Sequence, residues 1–365
     1  MAVFSILMFP ASEGDCLMVE YGDPRAPDRI LIDGGRKATY QNYLRRYLAA
    51  IPREHRRLRL FVVTHIDRDH IEGAVALLRD ETLSLDVDDL WFNAYSNLIS
   101  DAPGRPDLHA VDGESLTYLA RERRKWRRNH AFGSGAVSTG EPARLCEIDL
   151  GGGMVLTLLG PDRAGLRKLI PQWQAECRKA GIMPGGAEQD GSPPPRATLG
   201  GARELEPEEL AAVRTPIDPS PPNGTSITFL LSYAGCRVLF CADARPIAMQ
   251  KSLDLLGARQ NAPLLLDAVK VSHHASKRNV TEALLARVQS PRYLISTDGT
   301  LTGHPDCEAV ARIVTAQGPR RTLFFNYRND QTLFWDRHDW KQRLQYATEY
   351  GTGQSPLVID LPPKQ

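Results

Sequence analysis

One heptapeptide limits the folds open to this chain more than any other: THIDRDH, residues 64–70. Ahead of it, Leu58 to Thr64 reads LRLFVVT, an apolar run of β-type residues that predicts a strand buried on both faces. Behind it, Ile71, Ala74, Val75 and Leu78 recur at helical spacing, which predicts a helix from about Ile71. His65, Asp67, Asp69 and His70 therefore fall on a strand-to-helix loop. In an α/β protein that is the carboxyl end of a strand, where ligands bind. Imidazole nitrogen and carboxylate oxygen are ligands for zinc, manganese and iron. His65 and Asp67 can face one point, while Asp69 and His70 face a second. A solvated acidic loop is the plainer reading, but it gives no reason for four such side chains in six positions behind a buried strand.

The chain around this loop is ordinary for a globular protein. It has 365 residues, 42% hydrophobic and 24% charged, with a net charge of +1. That allows one large domain with insertions or two small ones, and the charge alone says nothing about a polyanionic partner. No apolar stretch is long enough to span a bilayer. MAVFSILMF lacks a basic leader and reads as a first strand. Cys16, Cys146, Cys177, Cys236, Cys241 and Cys307 show no CxxC spacing. They are expected to be reduced thiols of a cytoplasmic protein.

AVFSILMF, CLMVEYG and RILIDGG read as opening strands, and YLRRYLAAI as a helix. SITFLLSYAG, CRVLFCADA, DAVKVSHHAS, PRYLISTDG, RTLFFNY and QTLFWDR read as later strands. Residues 91–222 are expected to form an insertion within a single domain spanning 1–365. It holds helical segments, the strand pair RLCEIDL and GMVLTLLG, and a Pro/Gly-rich mobile loop over 181–222.

HxDxDH resembles the signature of the metallo-β-lactamase fold, which more often reads HxHxDH. With Asp67 in the middle it is similar to the variant in the nuclease domain of ComEC-type DNA-uptake proteins. Four more segments resemble that family's motifs, in its order: RILIDGG with Asp33, VLFCADA with Asp243, VKVSHHASKRN with His273 and His274, and GHPD with His304. PPNGTSITF places Asn223 and Ser226 where ComEC-like relatives carry an Asn-x-x-Ser pattern. Ala242 and Ala275 stand where relatives carry glycine.

The resemblance implies a four-layer αββα sandwich and two divalent metal ions, zinc or manganese. His65, Asp67 and Asn223 would hold the first, and Asp69, His70 and His274 the second. Asp243 would bridge them, and Asp33 would orient the ligands from behind. Asn223 is a weak ligand, so one site is expected to be the poorer. Asp69 would also orient a metal-bridging hydroxide. His273 would face the substrate, and His304 would donate a proton or hold a phosphate oxygen. Ser12, Ser276 and Cys16 lack the context of a nucleophile.

The implied activity is hydrolysis, with a phosphodiesterase or nuclease first. A hydrolase of a small ester, thioester or lactone is the alternative, because the fold hosts all of these. A third reading is a weakly active or inactive metal-binding subunit of a larger, defence-related assembly, docking a protein partner through the insertion. RERRKWRR adds a basic run: on a helix, Arg121, Arg124, Lys125 and Arg128 share one face that can follow the phosphates of a nucleic acid. Such a run is more often a solvated helix face.

Overall fold

The computed structural model describes residues 2–99, 111–123, 126–140, 143–180, 205–362 and 364. Among these, two large sheets lie face to face. The first has seven strands in the spatial order Leu357–Asp360, Val3–Met8, Leu17–Gly22, Asp28–Ile32, Leu60–Val62, Asp89–Trp91 and Arg127–Arg128. The second has eight, in the order Tyr346–Tyr350, Arg321–Phe325, Arg292–Ile295, Ala268–Lys270, Cys236–Phe240, Thr228–Tyr233, Val155–Gly160 and Cys146–Asp149. Each sheet opens with antiparallel pairs and continues with parallel ones.

Three apolar layers hold these sheets and their helices together. Between the sheets, Ile6, Val19, Leu60 and Val62 pack with Leu158, Phe229, Val238 and Phe240. Outside the first sheet, Phe61 and Val63 meet Ile71, Val75 and Leu78 of the Arg68–Arg79 helix. Outside the second, Leu239, Val269 and Ile295 meet Met249, Leu253, Val310 and Ile313 from two helices. The architecture is therefore helix–sheet–sheet–helix. The run Leu60 to Val63 is buried throughout because alternate residues serve the two faces. Each fully buried side chain of this kind contributes roughly 1.5–3 kcal/mol.

Some expectations need correcting. Cys146–Asp149 and Val155–Gly160, inside the expected insertion 91–222, do not stand apart from the sheets but pair into the second, with Leu156 opposite Leu231. Nor is the end of the supposed loop unstructured. Pro207–Ala212 is a helix held by the Arg312 guanidinium, which donates to the carbonyls of Ala211 and Val213. The Pro/Gly-rich run 181–204 lies outside the described residues. QTLFWDR is no strand: Asn329 accepts from the Thr332 amide and starts a short helix, Asp330–Leu333, that sends Trp335 into the outer apolar layer.

The basic run does not form one helix face either. Its helix, Val111–Glu122, ends at Glu122, and Arg127–Arg128 is an edge strand paired with Asp89 and Leu90. Arg121 and Arg128 are exposed beside a cleft floored by Leu90, Phe92 and Leu116, while Arg124 and Lys125 lie outside the described residues. All six cysteines are free thiols. Among the described residues no helix is long and apolar enough to cross a membrane.

Candidate metal centre

The site gathers at the carboxyl ends of strands from both sheets, where the loops that follow them meet. His65 follows the Leu60–Val62 strand. The helix begins earlier than its apolar spacing suggests. Asp67 is its N-cap residue, and Asp69 and His70 lie in its first turn, with the His70 and Ile71 amides donating to the Asp67 carbonyl. Asp243 follows the Cys236–Phe240 strand, after Ala242 at φ 43°. His273, His274 and Ala275 follow the Ala268–Lys270 strand, at φ 47°, 53° and 65°. These left-handed values cost L-residues roughly 1–2 kcal/mol each. They occur at the two positions, 242 and 275, where the resemblance expects glycine. The His273 amide donates to the Ala242 carbonyl at 2.9 Å and ties the two loops together.

The side chains converge. His65 Nε2 is 3.5 Å from an Asp67 carboxylate oxygen and 3.8 Å from Asp243. His70 Nε2 is 3.7 Å from Asp69 and 3.5 Å from Asp243. His274 Nε2 is 3.4 Å from Asp69 and 3.6 Å from Asp243. His273 Nε2 is 3.6 Å from Asp243. Ligands about 2.1 Å from a tetrahedral cation stand about 3.4 Å from one another, close to these spacings.

Hydrogen bonds fix each imidazole with its Nε2 lone pair facing inward. His70 Nδ1–H donates to Asp33 at 2.8 Å, and Asp33 also accepts from the Thr64 amide and hydroxyl, both at 2.7 Å. The Thr64 hydroxyl proton is thereby committed, so its oxygen accepts from His65 Nδ1 at 3.0 Å. His274 Nδ1–H donates to the Ser296 carbonyl at 2.8 Å. His273 Nδ1–H donates to Asn279 Oδ1 at 2.9 Å; the Asn279 amide group itself donates to Asp218, which sets Oδ1 as the acceptor. The Nε2 atoms of His65, His70 and His274, and Asp243 Oδ1, are buried with no hydrogen-bond partner among the described residues. A buried polar atom left this way costs roughly 1–3 kcal/mol. Coordination of a cation removes that cost, so the residues present fit the metals that the sequence motif implies.

Electrostatics point the same way. Burial opposes the charge of Asp243, yet the His273, His70 and His274 imidazoles hold its carboxyl well below the usual range. Burial likewise lowers the His70 pKa, but Asp243, Asp69 and Asp33 outweigh it and raise it well above the usual value. A field that draws protons onto buried imidazoles also draws cations, and the two compete for the same lone pairs. His65, His70 and Asp243 form one group able to hold a cation, and Asp69, His70 and His274 another.

Asn223 lies behind His273, with its Nδ2 2.7 Å from Asp218 and 3.4 Å from His273 Nδ1, the ring nitrogen turned away from Asp243. His273, expected on the substrate side, instead reaches Asp243 alongside His65. His304 stands at the lip: its ring centroid is 5.4 Å from that of His273, and its Nδ1 is 3.5 Å from Asp306.

Sequence reasoning missed Asp15 and Lys270. Asp15 Oδ1 is 3.6 Å from His274 Nδ1, and its other oxygen accepts from Lys270 Nζ at 2.6 Å, both residues being almost fully buried. The turn carrying Asp15 lies against the Asp69 backbone, where a Cβ on Gly14 would stand 1.8 Å from the Asp69 carbonyl oxygen. Removing one member of a buried pair strands the other charge. Lys270→Met is therefore expected to cost about 3–5 kcal/mol in urea denaturation, with much of that recovered in Asp15→Leu/Lys270→Met. A loss under about 1 kcal/mol in the single variant would show that the pair does not matter to the fold.

A family model described as the metallo-beta-lactamase superfamily matches residues 13–299. Among solved structures, the chain is similar to the metallo-beta-lactamase fold protein YhfI from Bacillus subtilis, at 12% identity and TM-score 0.43, covering 98% of this chain and 100% of that one. It is similar to Zn(2+)-bound PqqB from Methylobacterium extorquens, at 12% identity and TM-score 0.39, covering 95% and 87%. A long form RNase Z from yeast is similar at 9% identity and TM-score 0.35, covering 81% and 37%. No curated protein matches the chain.

Proposed function

The chain belongs to the metallo-beta-lactamase superfamily, and from that premise we propose that it is a dinuclear metal-dependent phosphodiesterase, with nucleic acid as the leading substrate class. The observation that carries the hydrolase reading is the convergence of inward-facing Nε2 atoms on Asp243 and Asp69. His65, Asp67 and His273 would hold one cation, and Asp69, His70 and His274 the other, with Asp243 shared. Asn223 then acts through His273 rather than as a ligand. Two divalent cations, zinc or manganese, would supply Lewis-acid activation of water and neutralise phosphoryl charge when bound.

The protein's own residues do the rest. Asp33, Thr64, the Ser296 carbonyl and Asn279 keep the imidazoles in the tautomer that leaves Nε2 free. Asp69 orients the attacking water. His304, at the lip and free of the inner ligand set, gives its proton to the leaving oxygen. Cysteine chemistry does not compete: burial, with Asp33 and Asp15 nearby, raises the Cys16 thiol well above its usual pKa.

The HxDxDH and His-His motifs support phosphodiesters over esters or lactones through their likeness to the ComEC-like variant. A panel of DNA, RNA, a cyclic dinucleotide and a small ester, each with Mn²⁺ and Zn²⁺, tests the choice. Turnover of the ester alone would reject the phosphodiesterase reading, and turnover of none would favour the binding-subunit reading. His304→Ala is expected to lower kcat by roughly 10²–10⁴-fold while leaving bound metal unchanged. A parallel loss of metal would place His304 among the ligands instead.

A further inference from the structure

Beside the metal centre is a second cleft, with a cavity volume of about 300 Å³. It adjoins the centre through Asp218, Asn223 and Ala244, the residue after Asp243. Its floor includes Asn223, Ser226 and Thr228, which are 3%, 2% and 1% exposed. Asn223 Oδ1, Ser226 Oγ and Thr228 Oγ1 have no hydrogen-bond partner among the described residues. Its walls carry positive charge. Lys168 and Lys251 are exposed and belong to no ion pair among the described residues. Arg245 donates to the carbonyls of Pro219 and Ser220 and belongs to no ion pair among the described residues. The helices Arg163–Ala180 and Pro246–Leu255 both begin at this cleft; Asp162 caps the first, and the second has no acidic residue in its first turn.

Two aspartates also line the cleft, and both are committed to the protein. Asp162 accepts from the Gly165 amide at 2.6 Å. Asp218 accepts from Asn223, Asn279 and the Ser220 amide. Two ammonium groups outside any ion pair among the described residues, the amino end of the Pro246–Leu255 helix and unused hydroxyls make a setting for an anion with hydrogen-bonding oxygens.

We infer that this cleft holds the phosphate next to the scissile one, so that the substrate is an oligonucleotide rather than an isolated phosphodiester. The inference rests on the phosphodiesterase reading and adds to it a subsite for the neighbouring phosphate. Asn223 joins the two regions, because it lines the cleft and touches His273 Nδ1. A chain of linked phosphates can therefore run from the metal centre to the lysines, past the exposed apolar rim of Ile247 and Leu255.

The test compares Lys168→Glu/Lys251→Glu, two exposed positions outside the ligand set, with the unaltered protein, both loaded with Mn²⁺. The expected result is a fall of about ten-fold or more in kcat/KM for a hexathymidylate, carried by KM. Bis-p-nitrophenyl phosphate, which has no second phosphate, should be hydrolysed at an unchanged rate. The salt dependence of oligonucleotide binding should also flatten, by about 0.7 in the log–log slope for each phosphate that the protein no longer neutralises. Equal effects on both substrates, or on neither, would overturn the inference.

Anisotropy of a fluorescein-labelled phosphorothioate hexathymidylate separates this inference from the reading beneath it. Weaker binding by the double variant supports the cleft even if no diester is turned over, and unchanged binding overturns it even if the enzyme is active. Failure of the unaltered protein to hydrolyse any diester counts against the phosphodiesterase reading alone.

Discussion

Asp243→Ala is expected to lower hydrolysis of bis-p-nitrophenyl phosphate by on the order of 10³-fold or more, as when a preorganised charge is removed from the reacting centre. The size follows from what meets at this carboxylate. Asp243 is 2% exposed, and the Nε2 atoms of His65, His70, His273 and His274 all lie within 3.5–3.8 Å of its oxygens. Among the described residues no other carboxylate touches both halves of the ligand set. Its loss would separate the two halves and leave four imidazoles facing one another without a shared counter-charge. Asp243→Asn is the sharper form, because it keeps the volume and removes the charge. If either variant hydrolyses the small diester at the original rate, Asp243 is a structural carboxylate and the two-metal scheme is wrong.

The second large effect is expected on metal content. His65→Ala/His70→Ala should lose most bound metal, measured by elemental analysis, because it removes one imidazole from each proposed cation. The fold should persist, since the core on both sides of the loop consists of Phe61, Val63, Ile71 and Val75, none of them a ligand. Metal added to the unaltered protein at about a thousand times its Kd should stabilise it by about 4 kcal/mol, and the double variant should gain far less. Unchanged metal content in a folded double variant would remove the heptapeptide from the site.

Much of this centre was legible in the sequence. The strand before His65 and the helix after it showed themselves through an apolar run and helical spacing, and both patterns reflect burial that the fold does impose. The order of Asp33, the heptapeptide, Asp243 and the adjacent histidines along the chain was equally plain. The direction of those histidines was not. The resemblance implies His273 on the substrate side, and adjacent residues of an extended strand do point to opposite sides. Three successive left-handed residues, His273 to Ala275, curl the chain so that both rings reach Asp243. Left-handed backbone at non-glycine residues leaves no mark in a sequence pattern.

Long-range pairing was similarly hidden. Lys270 reads as one polar residue in a strand, and only the folded sheets bring it to Asp15, 255 positions away. The basic run failed as a helix face because the chain turns after Glu122 and continues as an edge strand. The middle of the chain resembled an insertion because its two sheet strands are separated from their partner by the long Pro/Gly-rich run.

Anomalous diffraction from crystals grown with Mn²⁺ or Zn²⁺ tests the central claim most directly. Two peaks per chain are expected, one among His65, Asp67 and His273 and one among Asp69, His70 and His274, with Asp243 between them. A single peak, or a peak bound by Asn223 with His273 turned away, would contradict it.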